Sequence, residues 1–167
     1  MDNEAIPQLI EQLSDSNGLR RQEAREALVE IGAPALPYIT QAAANNRKRP
    51  RWEAAKALAT MAEPSSVPTL TELLDDPESD IRWLAAEGLL AIGSRSLPAV
   101  LDALVQKPES TGLRRAAHHV LDGTVRRDAE LSEVLVPIME ALGDTQPASV
   151  IPPKAEEALE RLDSLSG

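Results

Sequence analysis

Apolar residues recur along this chain at three- and four-residue steps, in short runs separated by polar or proline-bearing stretches, which is the periodicity of amphipathic helices rather than of strands. Between residues 66 and 93 the pattern is clearest. Leu70, Leu73 and Leu74 share one helical face, and Asp75-Asp76-Pro77-Glu78-Ser79-Asp80 then breaks the helix and supplies caps for the next. A second amphipathic run extends from about Ile81 to Ile92, where Gly93 offers a left-handed stop, as Gly32 does earlier. The corresponding place in between holds Ala62, so Glu63-Pro64 is expected to end that helix. The unit is thus a helical hairpin: helix A, a polar turn, helix B.

The unit repeats. Pro7, Pro37, Pro68 and Pro98 follow one another at 30, 31 and 30 residues, each ahead of an apolar run. A proline suits the first turn of a helix, where its missing N–H would have had no partner. A small-residue-plus-leucine marker keeps step: Ala27-Leu28, Ala57-Leu58, Gly88-Leu89, Val120-Leu121 and Ala158-Leu159, with Pro137 taken as the fifth proline. Neither helix of a hairpin can bury its apolar face alone, so successive hairpins must stack, with Ala24, Ala54 and Ala85 permitting close approach. The pattern predicts an all-α solenoid of about five antiparallel hairpins in a single domain, 1–167. Its repeats span about 4–32, 36–62, 66–93, 97–122 and 131–163, with an insertion at 123–130. The fifth is irregular, its second helix following Ile151-Pro152-Pro153 and ending in Leu159 and Leu162, as a terminal capping repeat would.

The run Asp-Ile-Arg-Trp-Leu-Ala-Ala-Glu-Gly-Leu-Leu-Ala-Ile-Gly, from Asp80 to Gly93, resembles HEAT repeats, specifically the short HEAT-like repeats of the phycobilisome-lyase type. The likeness covers nearly the whole chain. It implies that Arg21, Arg51, Arg82 and Arg114 form a structural ladder with acidic groups, for which Asp15, Asp76 and Asp80 are available. It also implies that the B helices line a concave face. Functions carried by this repeat class include adaptors, chaperones, lyase subunits and a few enzymes, so architecture alone does not choose among them.

Around helix B, Gln22, Arg25, Glu26 and Val29 lie opposite the core positions of the first repeat. Their counterparts are Trp52, Ala55, Lys56 and Ala59, then Trp83, Ala86, Glu87 and Leu90, then Arg115, His118, His119 and Asp122. On that map the partner-binding face comprises Trp52, Trp83, Arg25, Arg51, Leu90, Arg115, His118 and Asp122. The tryptophans serve as apolar anchors, and Arg25, Arg51, Arg115 and His118 place an acidic portion of the partner. The competing reading has both indoles folded over the core as cover.

Charge and composition narrow the partner. The chain carries 27 acidic and 17 basic residues, a net charge of −10, which opposes nucleic acid and anionic lipid. The cluster Arg47, Lys48, Arg49 and Arg51 reads as a solvated turn or a local anion site. No cysteine is present, which removes thiolate zinc sites and cysteine nucleophiles. His118 and His119 are the only histidines and point about 100° apart on one helix, so no metal site and no cofactor is expected. The catalytic patterns sought are missing: no repeated His-Glu pairs, no glycine-rich phosphate loop, no supported Ser-His-Asp set. The acidic opening Met1-Asp2-Asn3-Glu4 and the lack of any apolar stretch approaching roughly 18 residues predict a cytoplasmic protein. The reading is a non-enzymatic module that binds another protein, as a monomer, with a phycobilin-lyase-like or other tetrapyrrole-handling protein as the alternative.

Overall fold

The computed structural model describes residues 5–143 and 145–166. The acidic opening, Met1 to Glu4, lies outside the described residues. Ten α-helices follow in order: α1 (Ile6–Gln12), α2 (Gly18–Ile31), α3 (Leu36–Ala43), α4 (Lys48–Met61), α5 (Val67–Leu73), α6 (Ser79–Ile92), α7 (Leu97–Gln106), α8 (Thr111–Arg127), α9 (Ser132–Ala141) and α10 (Ile151–Ser166). There is no strand among the described residues. No single helix there is long and apolar enough to cross a membrane. The expected all-α solenoid is therefore what the chain forms.

Four of the five repeat prolines act as the spacing predicts. Pro7, Pro37, Pro68 and Pro98 occupy the first turns of α1, α3, α5 and α7. Gly32 and Gly93 close α2 and α6 with φ of 75° and 86°. At the intermediate hairpin the stop is Ala62 itself, which adopts the left-handed conformation at φ 49° and ψ 36°, a geometry that costs a residue with a Cβ about 1–2 kcal/mol.

The inner helices α2, α4, α6 and α8 pack side by side, whereas α1, α3, α5 and α7 touch one another far less. The stack consequently bends with the α2–α8 layer on its concave side. Small residues make this possible: Ala54, Ala55, Ala57, Ala85, Ala86 and Ala117 are all buried between helices. Gly88 is one such close approach, since a Cβ there would stand 2.9 Å from Leu70 Cδ1 and 3.0 Å from Ala59 Cα. One core runs from Ile6 to Ala158.

The last hairpin departs from the repeat. The segment 123–130 mostly prolongs α8 to Arg127. Pro137 does not open a helix but sits inside α9, because the amino-acid letter is the same for a first-turn proline and an interior one. Its missing N–H leaves the Glu133 carbonyl without its helical donor, and Arg161 Nη1 of α10 fills the place at 2.7 Å. The helix that begins like α3, α5 and α7 is α10, where a 3-10 turn (Ala148–Val150) leads into Ile151-Pro152. Accordingly α10, not α9, lies against α7, while α9 packs on α8 and α10. The two layers are exchanged in the final pair.

Candidate partner-binding face

The ladder arginines come first because they fix the helices that carry the face. Arg21, Arg51 and Arg82 each donate through Nη1 to the carbonyl six residues upstream, Asp15, Asn45 and Asp76, at 2.8, 2.9 and 2.7 Å. Each thereby ties the start of an inner helix to the turn before it. Two of them also bridge to the following repeat: Arg21 Nε to Glu53 at 3.1 Å and Arg51 Nε to Asp76 at 2.6 Å. Arg114 instead donates to the Gly143 and Gln146 carbonyls at 2.9 and 3.1 Å, clamping the α9–α10 connection. Of the acids expected in the ladder, Asp76 takes part as an ion pair and Asp15 through its carbonyl, but Asp80 pairs with Lys48 at 3.1 Å. Glu53 is the acid that the sequence reading overlooked.

These contacts remove several candidates from a partner's reach. Arg51 is locked on Asp76, its side chain 12% exposed. Arg25 is held by Glu53. Leu90 is buried at 5% exposure, contrary to its expected place on the groove floor. The cause is Gly123: lacking a side chain, it lets α8 pass directly over Leu90, and a Cβ there would stand 2.6 Å from Leu90 Cδ2. Asp122 pairs with Arg126 one turn on, at 2.9 Å. Half of the basic cluster is neutralised too, Arg51 by Asp76 and Lys48 by Asp80 and by Glu78 at 2.9 Å, and Arg47 donates to the Ser14 hydroxyl at 3.1 Å. Hydrogen bonds from Lys48 to Glu78 and then Asp80 hold its ammonium charge above the ordinary lysine range.

The two tryptophans have different surroundings despite equivalent positions. Trp52 is half-buried and packs on the core, with the Arg25 guanidinium 5.8 Å from its ring centroid, within cation–π range. Trp83 is 55% exposed on the concave layer. One side of its ring meets His119 of α8, centroids 4.4 Å apart and planes inclined at 36°, and His119 Nε2 lies 2.8 Å from Glu87 Oε1. His118 is on another side of α8, in a depression with Arg115, Leu142 and Gly143. Trp83 and Arg115 also share a cavity of about 200 Å³ between α6 and α8. Of the expected face, the structure thus brings Trp83 and Arg115 together, sets Trp52 and Arg25 apart as a pair, and places His118 to one side.

The geometry has its counterpart in known sequences, where the family model described as HEAT repeats matches residues 36–122. The chain belongs to the HEAT-repeat family. Among solved structures, it is similar to a chain in the complex of CpcE and CpcF of phycocyanin lyase from Nostoc sp. PCC7120. That likeness has 24% identity and a TM-score of 0.65 over 94% of this chain and 99% of the other. An engineered protein matches with 22% identity and a TM-score of 0.47, covering 98% of this chain and 87% of that one. No curated protein matches the sequence.

His119, an outward position left out of the expected partner-binding face, has its contact foreshadowed by its place in the HEAT repeat. Counting from the ladder arginine, the next position reads Gln22, Trp52, Trp83 and Arg115, and the fifth position reads Glu26, Lys56, Glu87 and His119. The fifth position is polar in every one of these repeats, and the Glu87–His119 contact joins two consecutive members of it. That recurring polar position, one repeat on from Glu87, was the signal for the His119 contact.

Proposed function

We propose that this HEAT-repeat chain is a non-enzymatic protein-binding module, an adaptor, assembly factor or chaperone that grips a partner on its concave face. The observation that carries the reading is Trp83, a large apolar ring standing more than half exposed in the middle of the inner layer. Tryptophan and arginine are among the residue types most enriched at binding hot spots, and Arg82 and Arg115 line the same cavity as Trp83. Arg115 and His118 extend that face, whereas Arg25, Arg51 and Leu90 are held within the stack and Trp52 packs on the core outside it. The similar solved chain was itself determined in a two-protein complex of CpcE and CpcF, in keeping with a protein partner.

The test is affinity capture from the cells the protein comes from, using the full chain, its Trp83→Ala variant and its Trp52→Phe variant. A stoichiometric, colourless protein should be captured by wild type and Trp52→Phe and be lost with Trp83→Ala, whose circular dichroism matches wild type. A contact of this kind is worth at least roughly 2 kcal/mol, about thirty-fold in affinity. If Trp83→Ala retains every partner, the reading is wrong. The fold likeness to the phycocyanin lyase complex favours one second reading, a tetrapyrrole-handling protein, with Trp83, Arg115 and His119 beside the bound ring system. Its mark would be a visible absorbance band travelling with the purified protein.

A further inference from the structure

The cavities beside the two tryptophans differ in charge, and the difference bears on what each can hold. Around Trp52 a cavity of about 250 Å³ is lined by Arg21, Lys48 and Arg49 but also by Glu53 and Asp80. Glu53 takes Arg21 and Asp80 takes Lys48, so most of the charge there is met within the protein. Around Trp83 the floor is Ala86 and Ala116, and the walls are Arg82, Arg115, His119 and the indole. Every titratable side chain lining that second cavity is basic, in a chain whose net charge is −10.

Arg82 is set for a further anionic contact. Its Nη1 donates to two carbonyls, those of Asp76 and Pro77. Its Cδ and Nε lie beside Gly112, where a Cβ would come within 3.3 Å of both. A glycine there keeps room around the guanidinium at the mouth of the cavity. Apolar floor, indole wall and cationic rim together match a carboxylate flanked by an apolar side chain. Polyanions fit poorly, because the basic lining around Trp83 does not continue unmixed into the Trp52 cavity, where Glu53 and Asp80 intervene, and the field of the whole chain repels an extended negative strand or surface.

We propose that the cavity between α6 and α8 receives an acidic peptide, an apolar side chain lying on Trp83 and the adjoining carboxylate meeting Arg82 and Arg115. This rests on the protein-binding reading above and makes it specific in two ways. It selects acidic–apolar segments, and it confines the grip to one inter-helix junction rather than to a strip shared by both tryptophans.

The experiment uses the full chain carrying Trp52→Phe, so that Trp83 is the sole indole. It is titrated with a blocked Leu-Asp-Leu-Asp-Leu peptide and with the matching Asn and Lys peptides. The Asp peptide should change Trp83 emission saturably, with a Kd below about 1 mM. Binding should weaken at least ten-fold for the Asn peptide, ten-fold for the Asp peptide on Arg115→Gln, and further with added salt. Calorimetry on the wild-type chain gives the same comparison should Trp52→Phe fold poorly. A flat titration, or equal binding of the Asn or Lys peptide, overturns the proposal. The two readings fail separately: a captured partner lost with Trp83→Ala alongside a flat Asp titration leaves the binding module standing and removes only its acidic ligand.

Discussion

Trp83 and His119 stack across the junction of α6 and α8, with ring centroids 4.4 Å apart. The contact joins neighbouring repeats on the solvent side of the inner layer, where the core below is alanine. A double-mutant cycle of Trp83→Ala and His119→Ala, followed by urea unfolding, should return a coupling of about 0.5–1.5 kcal/mol. A coupling near zero means that the rings touch without holding the helices together.

Arg51 and Asp76 form the most enclosed ion pair of the ladder, with side chains 12% and 4% exposed. Arg51→Ala leaves the Asp76 carboxylate buried without its cation and should cost about 3 kcal/mol. Arg51→Lys should recover only part of this, because one ammonium cannot reproduce the fork that reaches both Asp76 and the Asn45 carbonyl. Thermal unfolding of the two variants gives the order.

Ala62 ends α4 in the left-handed conformation, at φ 49° and ψ 36°, whereas the neighbouring inner helices stop on glycines that share its positive φ but not its ψ. Ala62→Gly should therefore stabilise the protein, by about 0.5–1 kcal/mol, against the usual direction for this exchange. A lower melting temperature would show that the Cβ is not strained there.

Gly88→Ala should act in the opposite sense. The new methyl meets both Leu70 and the backbone of Ala59, and only a shift of α6 away from α4 relieves it. A loss of about 1–3 kcal/mol in chemical denaturation is expected.

Asp75 gives a pH dependence. Burial raises its pKa, but hydrogen bonds from Ser110 and Lys107, together with the charges of Lys107 and Arg82, more than offset this and leave it below the ordinary aspartate value. A carboxylate whose pKa is depressed on folding stabilises the native state above its unfolded pKa, near 4, and that stability is lost as pH falls through the folded value. Asp75→Asn should thus lower stability at neutral pH and flatten the acid limb of the unfolding curve below about pH 4. A wild-type acid limb in the variant would assign that limb to other groups.

The hairpin, its direction and its stacking were legible because they are local: a proline at a helix start, a glycine at a helix end and leucines in register each act within one turn. The arginine ladder was legible as a recurrence, Arg21, Arg51, Arg82 and Arg114, whose acidic partners the family resemblance implied and whose bonds to carbonyls six residues back it did not. Three features were not. Leu90 occupies an outward position on its own helix, and only the missing side chain of Gly123, in the next repeat, encloses it. Glu53 follows Trp52 on α4, and its role appears only when Arg21 and Arg25 of α2 are brought beside it. The Pro137 marker failed because a carbonyl freed inside a helix can be satisfied from elsewhere, here by Arg161. All three depend on the spatial neighbour rather than on the sequence neighbour.

The exchanged final pair changes how the last hairpin is fastened to the stack. In it α10 takes the outer place against α7 and α9 the place beside α8, so the short connection between them crosses from one layer to the other. Arg114 of α8 holds that crossing by the Gly143 and Gln146 carbonyls. A single side chain thus fastens both layers at once.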